Sequence, residues 1–263
     1  MQFEVNAKQA YAYTGGKTFD AKLPTVVFVH GAQHDHSVWI LQSRYLAHHG
    51  YGVLAVDLPG HGRSAGPALA SIGELAEWIG AVQDAAGVKQ AAIVGHSMGS
   101  LIALECAARH PDRVVKIALL AIAYPMKVST ELLDATKNNE PLAQDMVNIW
   151  SHLAYAQYPN NPGPGFWVIG ENLRLMQRQK PGVMYVDFTA CNAYAGGAEA
   201  ATRVRCPALL LLARRDSMTP VRAAQDFAKS IEGAQVVVID GSGHNMMAEK
   251  PDEVLDTLVA FLK

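Results

Sequence analysis

The sequence predicts an α/β fold: a mostly parallel central sheet flanked by helices, carrying a helical insertion. Three observations predict it. Apolar, β-branched runs alternate with helical patterns through most of the 263 residues. Those runs are too continuously apolar for strands with one wet face, so they belong to a parallel sheet buried between helical layers. From residue 125 to about 202 the alternation breaks, and helix-like stretches follow one another without a convincing buried strand.

The opening MQFEVNAKQAYAYTGG alternates apolar and polar residues, which predicts an antiparallel hairpin over 2–14 at the sheet edge. LPTVVFVH (23–30) and YGVLAVDL (51–58) read as buried strands, with a helix over about 38–49 between them. Ser71 and Glu74 form a capping box, Ile72, Leu75, Ile79 and Val82 follow at helical spacing, and Gly87 ends that helix. QAAIVGH (90–96) is the next strand, followed by a helix from near Met98 to before Pro111. RVVKIALLAI (113–122) is the last strand before the insertion, inside which helices are expected near 128–138, 141–157, 166–179 and 182–194. PNNPGPG and KPG punctuate them. Strands PALLLLA (207–213) and AQVVVID (234–240), with helices near 220–231 and 251–262, complete the β-α-β order. The expected organisation is a core of residues 1–124 and 203–263 with residues 125–202 standing on it as a helical cap.

Lys and Arg number 22 against 24 Asp and Glu, a formal net charge of −2, so no basic surplus is available for nucleic-acid phosphates or anionic lipid. The amino terminus lacks the charged start and apolar run of a signal peptide, and no segment approaches the roughly 18 uninterrupted apolar residues of a membrane span. A soluble, cytoplasmic protein without nucleic-acid or membrane partners is expected. Cys106, Cys191 and Cys206 are odd in number, widely spaced and set in apolar or Pro-flanked surroundings, which reads as buried reduced thiols.

The chemistry gathers at strand ends. AAIVGHSMGSLIAL runs from a buried strand straight into a helix and carries Gly95-His96-Ser97-Met98-Gly99 at the turn. This G-x-S-x-G context places a serine on a strained strand-to-helix corner, where glycines two positions before and after relieve collisions with the neighbouring strand and helix. The alternative is that Ser97 merely caps the helix. A serine hydroxyl needs a base and an orienting acid to become a nucleophile. Asp216 follows the strand at 207–213 and His244 follows the strand at 234–240, so the order Ser97, Asp216, His244 fits a catalytic triad. Asp57, in DLPGHG, is the rival acid; its place far from His244 suits it better to anchoring the Pro59–Gly62 turn.

With HGAQHDHSVW, DLPGHGRS, GHSMGS, ARRDSMTP and GSGHNM in the same order, the chain resembles the α/β-hydrolase family along nearly its whole length. The resemblance implies an oxyanion hole made by the amides of Ala32 and Met98, with His30 supporting that loop. It implies no cofactor. HGAQHDHSVW is dense in histidine, yet His30, His34 and His36 do not reproduce the spacing of a dinuclear metallohydrolase, so no metal is expected. His34, Trp150, Phe166, Trp167 and Met184 are candidates for the substrate pocket, with packing of the cap as the competing role for its Met and aromatic residues. Lys127, Arg174 and Arg178 are candidates for recognising a substrate carboxylate, or are simply exposed. The leading expectation is hydrolysis of carboxylic esters of small apolar molecules through an acyl-enzyme. A C–C bond hydrolase, lactonase, thioesterase or perhydrolase would use the same triad, and a triad-bearing small-molecule receptor is a further alternative. Exposed cap hydrophobes would suit a pocket or a dimer interface alike, so the sequence leaves the oligomeric state open.

Overall fold

A computed structural model describes residues 1–154 and 167–263. Eight strands form one sheet: β1 (Gln2–Val5), β2 (Lys8–Tyr13), β3 (Thr25–Val29), β4 (Gly52–Asp57), β5 (Ala91–His96), β6 (Val114–Leu120), β7 (Ala208–Ala213) and β8 (Gln235–Ile239). Their spatial order is β1-β2-β4-β3-β5-β6-β7-β8. β1, β2 and β4 pair antiparallel, as the alternating amino terminus predicts, and every pair from β4 through β3 to β8 is parallel.

Helices cover both faces. The core helices are α1 (Ile40–His48), α2 (Ile72–Ala85) and α3 (Met98–Arg109), and the insertion supplies α4 (Thr130–Asn138), α5 (Glu140–Ser151), α6 (Val168–Gln177), α7 (Val183–Ala193) and α8 (Gly197–Arg203). After it come α9 (Val221–Ala228), α10 (Met246–Glu249) and α11 (Pro251–Leu262). No described helix is long and apolar enough to cross a membrane.

Successive strand side chains point to opposite faces, and the two cores divide accordingly. Val27 and Val29 of β3 pack with α2, α3, α8 and α9, whereas Val26 and Phe28 pack with Trp39, α1 and α11. β3, β4, β5 and β7 are buried along their whole length and β6 from Ile117 onward, its exposed Val115 and half-buried Lys116 lying near its start, the reason these sequences are almost wholly apolar. β8 departs from that expectation. It is the sheet edge, paired only with β7, and Val236 is 39% exposed, so an apolar run there does not mean two covered faces.

Ser71 caps α2 as expected, its Oγ accepting from the Glu74 amide at 3.2 Å, while the Glu74 carboxylate accepts from the Ser71 hydroxyl at 2.9 Å instead of completing a capping box through the Ser71 amide. The expected helix over 38–49 is split into a 3₁₀ turn, His36–Trp39, and α1, because Asp35 caps the turn through the Ser37 amide. Between residues 125 and 202 the described residues contain no strand. Helices α4 to α7 share a small core of their own, built from Leu132, Ala143, Val147, Met176, Met184 and Phe188. α8, unforeseen in the sequence, packs instead against α3.

Candidate active site

The site is built at the carboxyl ends of β5, β7 and β8. β5 turns into α3 at Ser97, whose φ of 53° and ψ of −118° are strained for any residue with a side chain. Its hydroxyl makes no capping bond to α3, which removes the helix-cap role. The tightness of the corner explains its glycines. A Cβ on Gly95 would overlap the Gly99 carbonyl, and one on Gly99 would overlap the Val29 carbonyl of β3. Strain at Ser97 is held by the neighbours: its amide donates to Leu120 O at 2.9 Å, and its own carbonyl accepts from Ser100 Oγ.

Asp216 lies just beyond β7, 5% exposed. Its Oδ1 accepts from the amides of Met218 (2.9 Å) and Thr219 (2.8 Å), while Oδ2 accepts from Thr219 Oγ1 (2.6 Å) and His244 Nδ1 (2.8 Å). Burial alone would favour the protonated acid; attraction to His244 and the hydrogen bonds from His244 and Thr219 outweigh it and hold the carboxyl below its ordinary range. The His244 loop is pinned from below by Glu249, which accepts from the amides of Gly243 (2.7 Å) and Leu153 (2.8 Å). His244 O is bonded to His96 Nε2 at 2.9 Å. With Nδ1–H donated to Asp216, the lone pair of His244 sits on Nε2, the nitrogen a serine base needs.

Ser97 and His244 open into two adjoining cavities. One, of about 190 Å³, is walled by Ala32, Met126, Leu132, Trp150, Phe188 and Met218, and Lys127 is the only cation among its described lining residues. The other, of about 20 Å³, is shared with Gly31, His34, Ser151, Asn172 and Asn245. Gly31 packs tightly on the elbow: a Cβ there would stand 3.2 Å from Ser97 Cβ. Ala32 follows it, and Met98 opens α3, where an amide has no acceptor within the helix. A larger groove of about 440 Å³ runs between α1, α6 and the start of α11. None of Ser97, Asp216 and His244 lines it; Ser97 and His244 both line the smaller cavities.

Trp150 and His34 thus line the cavities as expected. Met184 does not: it is fully buried in the core that α4 to α7 share. Trp167 is 67% exposed and lines neither cavity, its ring lying against Gly170. Phe166 lies outside the described residues. Arg178 is committed elsewhere, to Asp35, and Arg174 bonds Gln177, leaving Lys127 alone of the three cations at the site. Thr219 and Asn172 were not singled out in the sequence. The Asp-x-x-Thr spacing at 216–219 is a local turn signal that could have found Thr219; Asn172 is one polar residue among several on a helix and carries no such signal.

A family model described as alpha/beta hydrolase fold matches residues 24–251. The chain belongs to that family. Among curated proteins, the pimeloyl-[acyl-carrier protein] methyl ester esterase of Chromobacterium violaceum is 29% identical over 91% of this chain and 94% of its own length. The dihydrolipoyllysine-residue acetyltransferase component of an acetoin cleaving system from Cupriavidus necator is 38% identical over 113 residues, 42% of this chain and only 28% of that protein. The enol-lactonase of Burkholderia xenovorans LB400 superposes with a TM-score of 0.87 over 99% of both chains at 23% identity, a likeness of fold.

In this alpha/beta hydrolase the histidines of HGAQHDHSVW separate into three settings. His30 accepts from the Leu58 amide at 3.1 Å and lies 2.8 Å from Gly31 O; burial pushes its pKa down to about 4. His36 Nδ1 lies 2.7 Å from Asp57 Oδ1, and His34 Nε2 lies 2.9 Å from Asn172 Oδ1. Asp35, His36 and Asp57 bring ligand atoms within 4.8 Å of one another. Their carboxylate oxygens are already engaged: those of Asp35 by Arg178, Gln179 and the Ser37 amide, those of Asp57 by His36 and the Arg63 amide. Asp57 therefore anchors the 59–64 turn, helped by Ser64 Oγ, which donates to its carbonyl.

Proposed function

We propose that this hydrolase cleaves carboxylic esters of small, largely apolar molecules through an acyl-enzyme on Ser97. His244 takes the Ser97 proton as Oγ attacks the carbonyl, and Asp216 orients the ring and stabilises its charge. The amides of Ala32 and Met98 donate to the oxyanion. The alcohol leaves with the proton from His244, and water then releases the acid. One observation carries the reading: a strained, uncapped serine opens into the same cavity as a histidine whose Nδ1 is bonded to a buried aspartate.

The pocket supports the substrate class. Its walls are Met126, Val128, Leu132, Phe188 and the thiol of Cys191, which burial keeps protonated, and a volume of about 190 Å³ fits a short acyl chain rather than a lipid. We take residues 125–202 as a cap that closes this pocket over a core of residues 1–124 and 203–263. The similarity to a methyl ester esterase agrees with ester cleavage. Hydrolysis of p-nitrophenyl esters of rising acyl length tests the reading. Wild type turns over many times with an optimum at short chains, and Ser97→Ala lowers turnover by roughly 10⁴-fold or more. A Ser97→Ala variant as active as wild type would refute it.

A further inference from the structure

His34 has an assignable proton and an unused lone pair. A main-chain carbonyl only accepts a hydrogen bond. Asn148 Nδ2 donates to Ile169 O at 3.1 Å, so Asn148 Oδ1 is an acceptor. Asn172 Nδ2 donates to that oxygen at 2.9 Å, which makes Asn172 Oδ1 an acceptor in turn. His34 Nε2, 2.9 Å from Asn172 Oδ1, must then carry the hydrogen. Nδ1 is left with the lone pair, and among the described residues nothing donates to it. The ring is 7% exposed, and burial lowers its pKa to about 4, so it is neutral near pH 7.

A buried acceptor without a donor is costly, so a site that retains one invites a ligand. His34 lines the cavity of about 20 Å³ together with Ser97, His244 and Ala32. That volume suits a single water, which needs about 10–15 Å³ and two or more polar partners. The acyl chain has its own space in the adjoining apolar cavity of about 190 Å³.

We infer that His34 is a further catalytic residue, holding the water that hydrolyses the acyl-enzyme between its Nδ1 and His244 Nε2. The inference rests on the acyl-enzyme reading above. One water hydrogen is bonded to each ring, which turns the oxygen's lone pair toward the acyl carbon. As the C–O bond forms, the proton bonded to His244 passes to Nε2. The tetrahedral intermediate then collapses, the bond to Ser97 Oγ breaks, and that oxygen takes the proton back from His244 as the acid leaves. The proton bonded to His34 stays on the attacking oxygen, so the neutral ring orients without titrating.

The test is rapid-quench kinetics of p-nitrophenyl butyrate with wild type, His34→Leu, His34→Asn and Ser97→Ala. The p-nitrophenol burst counts working sites, so a misfolded fraction drops out of every rate. In His34→Leu deacylation slows by about 10- to 100-fold, KM falls with kcat, kcat/KM stays at the wild-type value, and acyl-enzyme accumulates in the mass spectrum. His34→Asn, which keeps an acceptor near the Nδ1 position, recovers much of the deacylation rate. A His34→Leu variant in which kcat and kcat/KM fall together, or in which deacylation is as fast as in wild type, would overturn the inference. If instead Ser97→Ala keeps the burst, it is the acyl-enzyme reading itself that fails.

Discussion

Each residue of the proposed triad owes its state to the groups that surround it. Asp216 is nearly buried but receives four hydrogen bonds, and those bonds keep it ionised beside His244. Replacing it with Asn removes the charge and lets the imidazole take the wrong tautomer, so Asp216→Asn lowers kcat by roughly 10³–10⁴-fold with little change in KM; steady-state kinetics on the preferred p-nitrophenyl ester checks this. Lys127 makes a second prediction. It is the cation at the mouth of the acyl cavity, so Lys127→Ala raises KM several-fold for an ester whose acid carries a distal carboxylate and leaves a neutral butyrate ester unchanged. Equal effects on both substrates would assign Lys127 no part in recognition. That Ser97, Asp216 and His244 stand just beyond strand ends was legible in the sequence because apolar runs, glycines and chain order all marked those positions. His34, Trp167 and Met184 were legible only as types: a histidine or a Met reads the same whether it lines a cavity, packs a cap core or faces water.

Among the elements, α6 and α7 are latched to the core by two charge contacts. Arg178, in the turn after α6, donates to both oxygens of Asp35 at 2.6 and 2.7 Å, and the Asp35 side chain is 1% exposed. Burial alone would raise the Asp35 pKa, but Arg178 and the Ser37 bonds outweigh it and hold the carboxyl below its ordinary range. Arg178→Met strands that charge; with the arginine half exposed and screened by solvent, the loss is about 2–3 kcal/mol, read from urea melts. The second latch joins His61 to Asp187 of α7 at 2.8 Å, while His61 Nδ1 lies 3.1 Å from Pro59 O. Both ring nitrogens thus face acceptors, which favours the doubly protonated ring. Although burial opposes the charge, Asp187 and the hydrogen bonds raise the His61 pKa. Because the folded value lies above the unfolded one of about 6.5, this stabilisation is complete below that pH and is lost as pH rises through the folded value. The Tm advantage of wild type over His61→Gln is therefore greatest near about pH 6 and shrinks toward about pH 9; an advantage independent of pH would contradict the imidazolium. Neither latch was legible beforehand, since each joins residues more than a hundred positions apart.

Across the whole molecule, the parallel sheet does the positioning. β5, β7 and β8 deliver Ser97, Asp216 and His244 to the carboxyl end of the sheet, and the apolar runs that form those strands are what made the fold readable. The exceptions have a common cause in position rather than pattern. β8 is half wet because it is an edge, and α8 was missed because seven residues flanked by glycine give too short a period to register. The helical insertion was visible as an interruption, but what it contributes to the pocket depends on which helical faces turn inward, and that is decided by packing. The central claim is that Ser97 is the nucleophile, and covalent labelling with an alkyl fluorophosphonate tests it most directly. The account predicts one adduct per chain, located by peptide mass spectrometry on Ser97, with loss of esterase activity in proportion to labelling. Inactivation accompanied by an adduct on any other residue would contradict it.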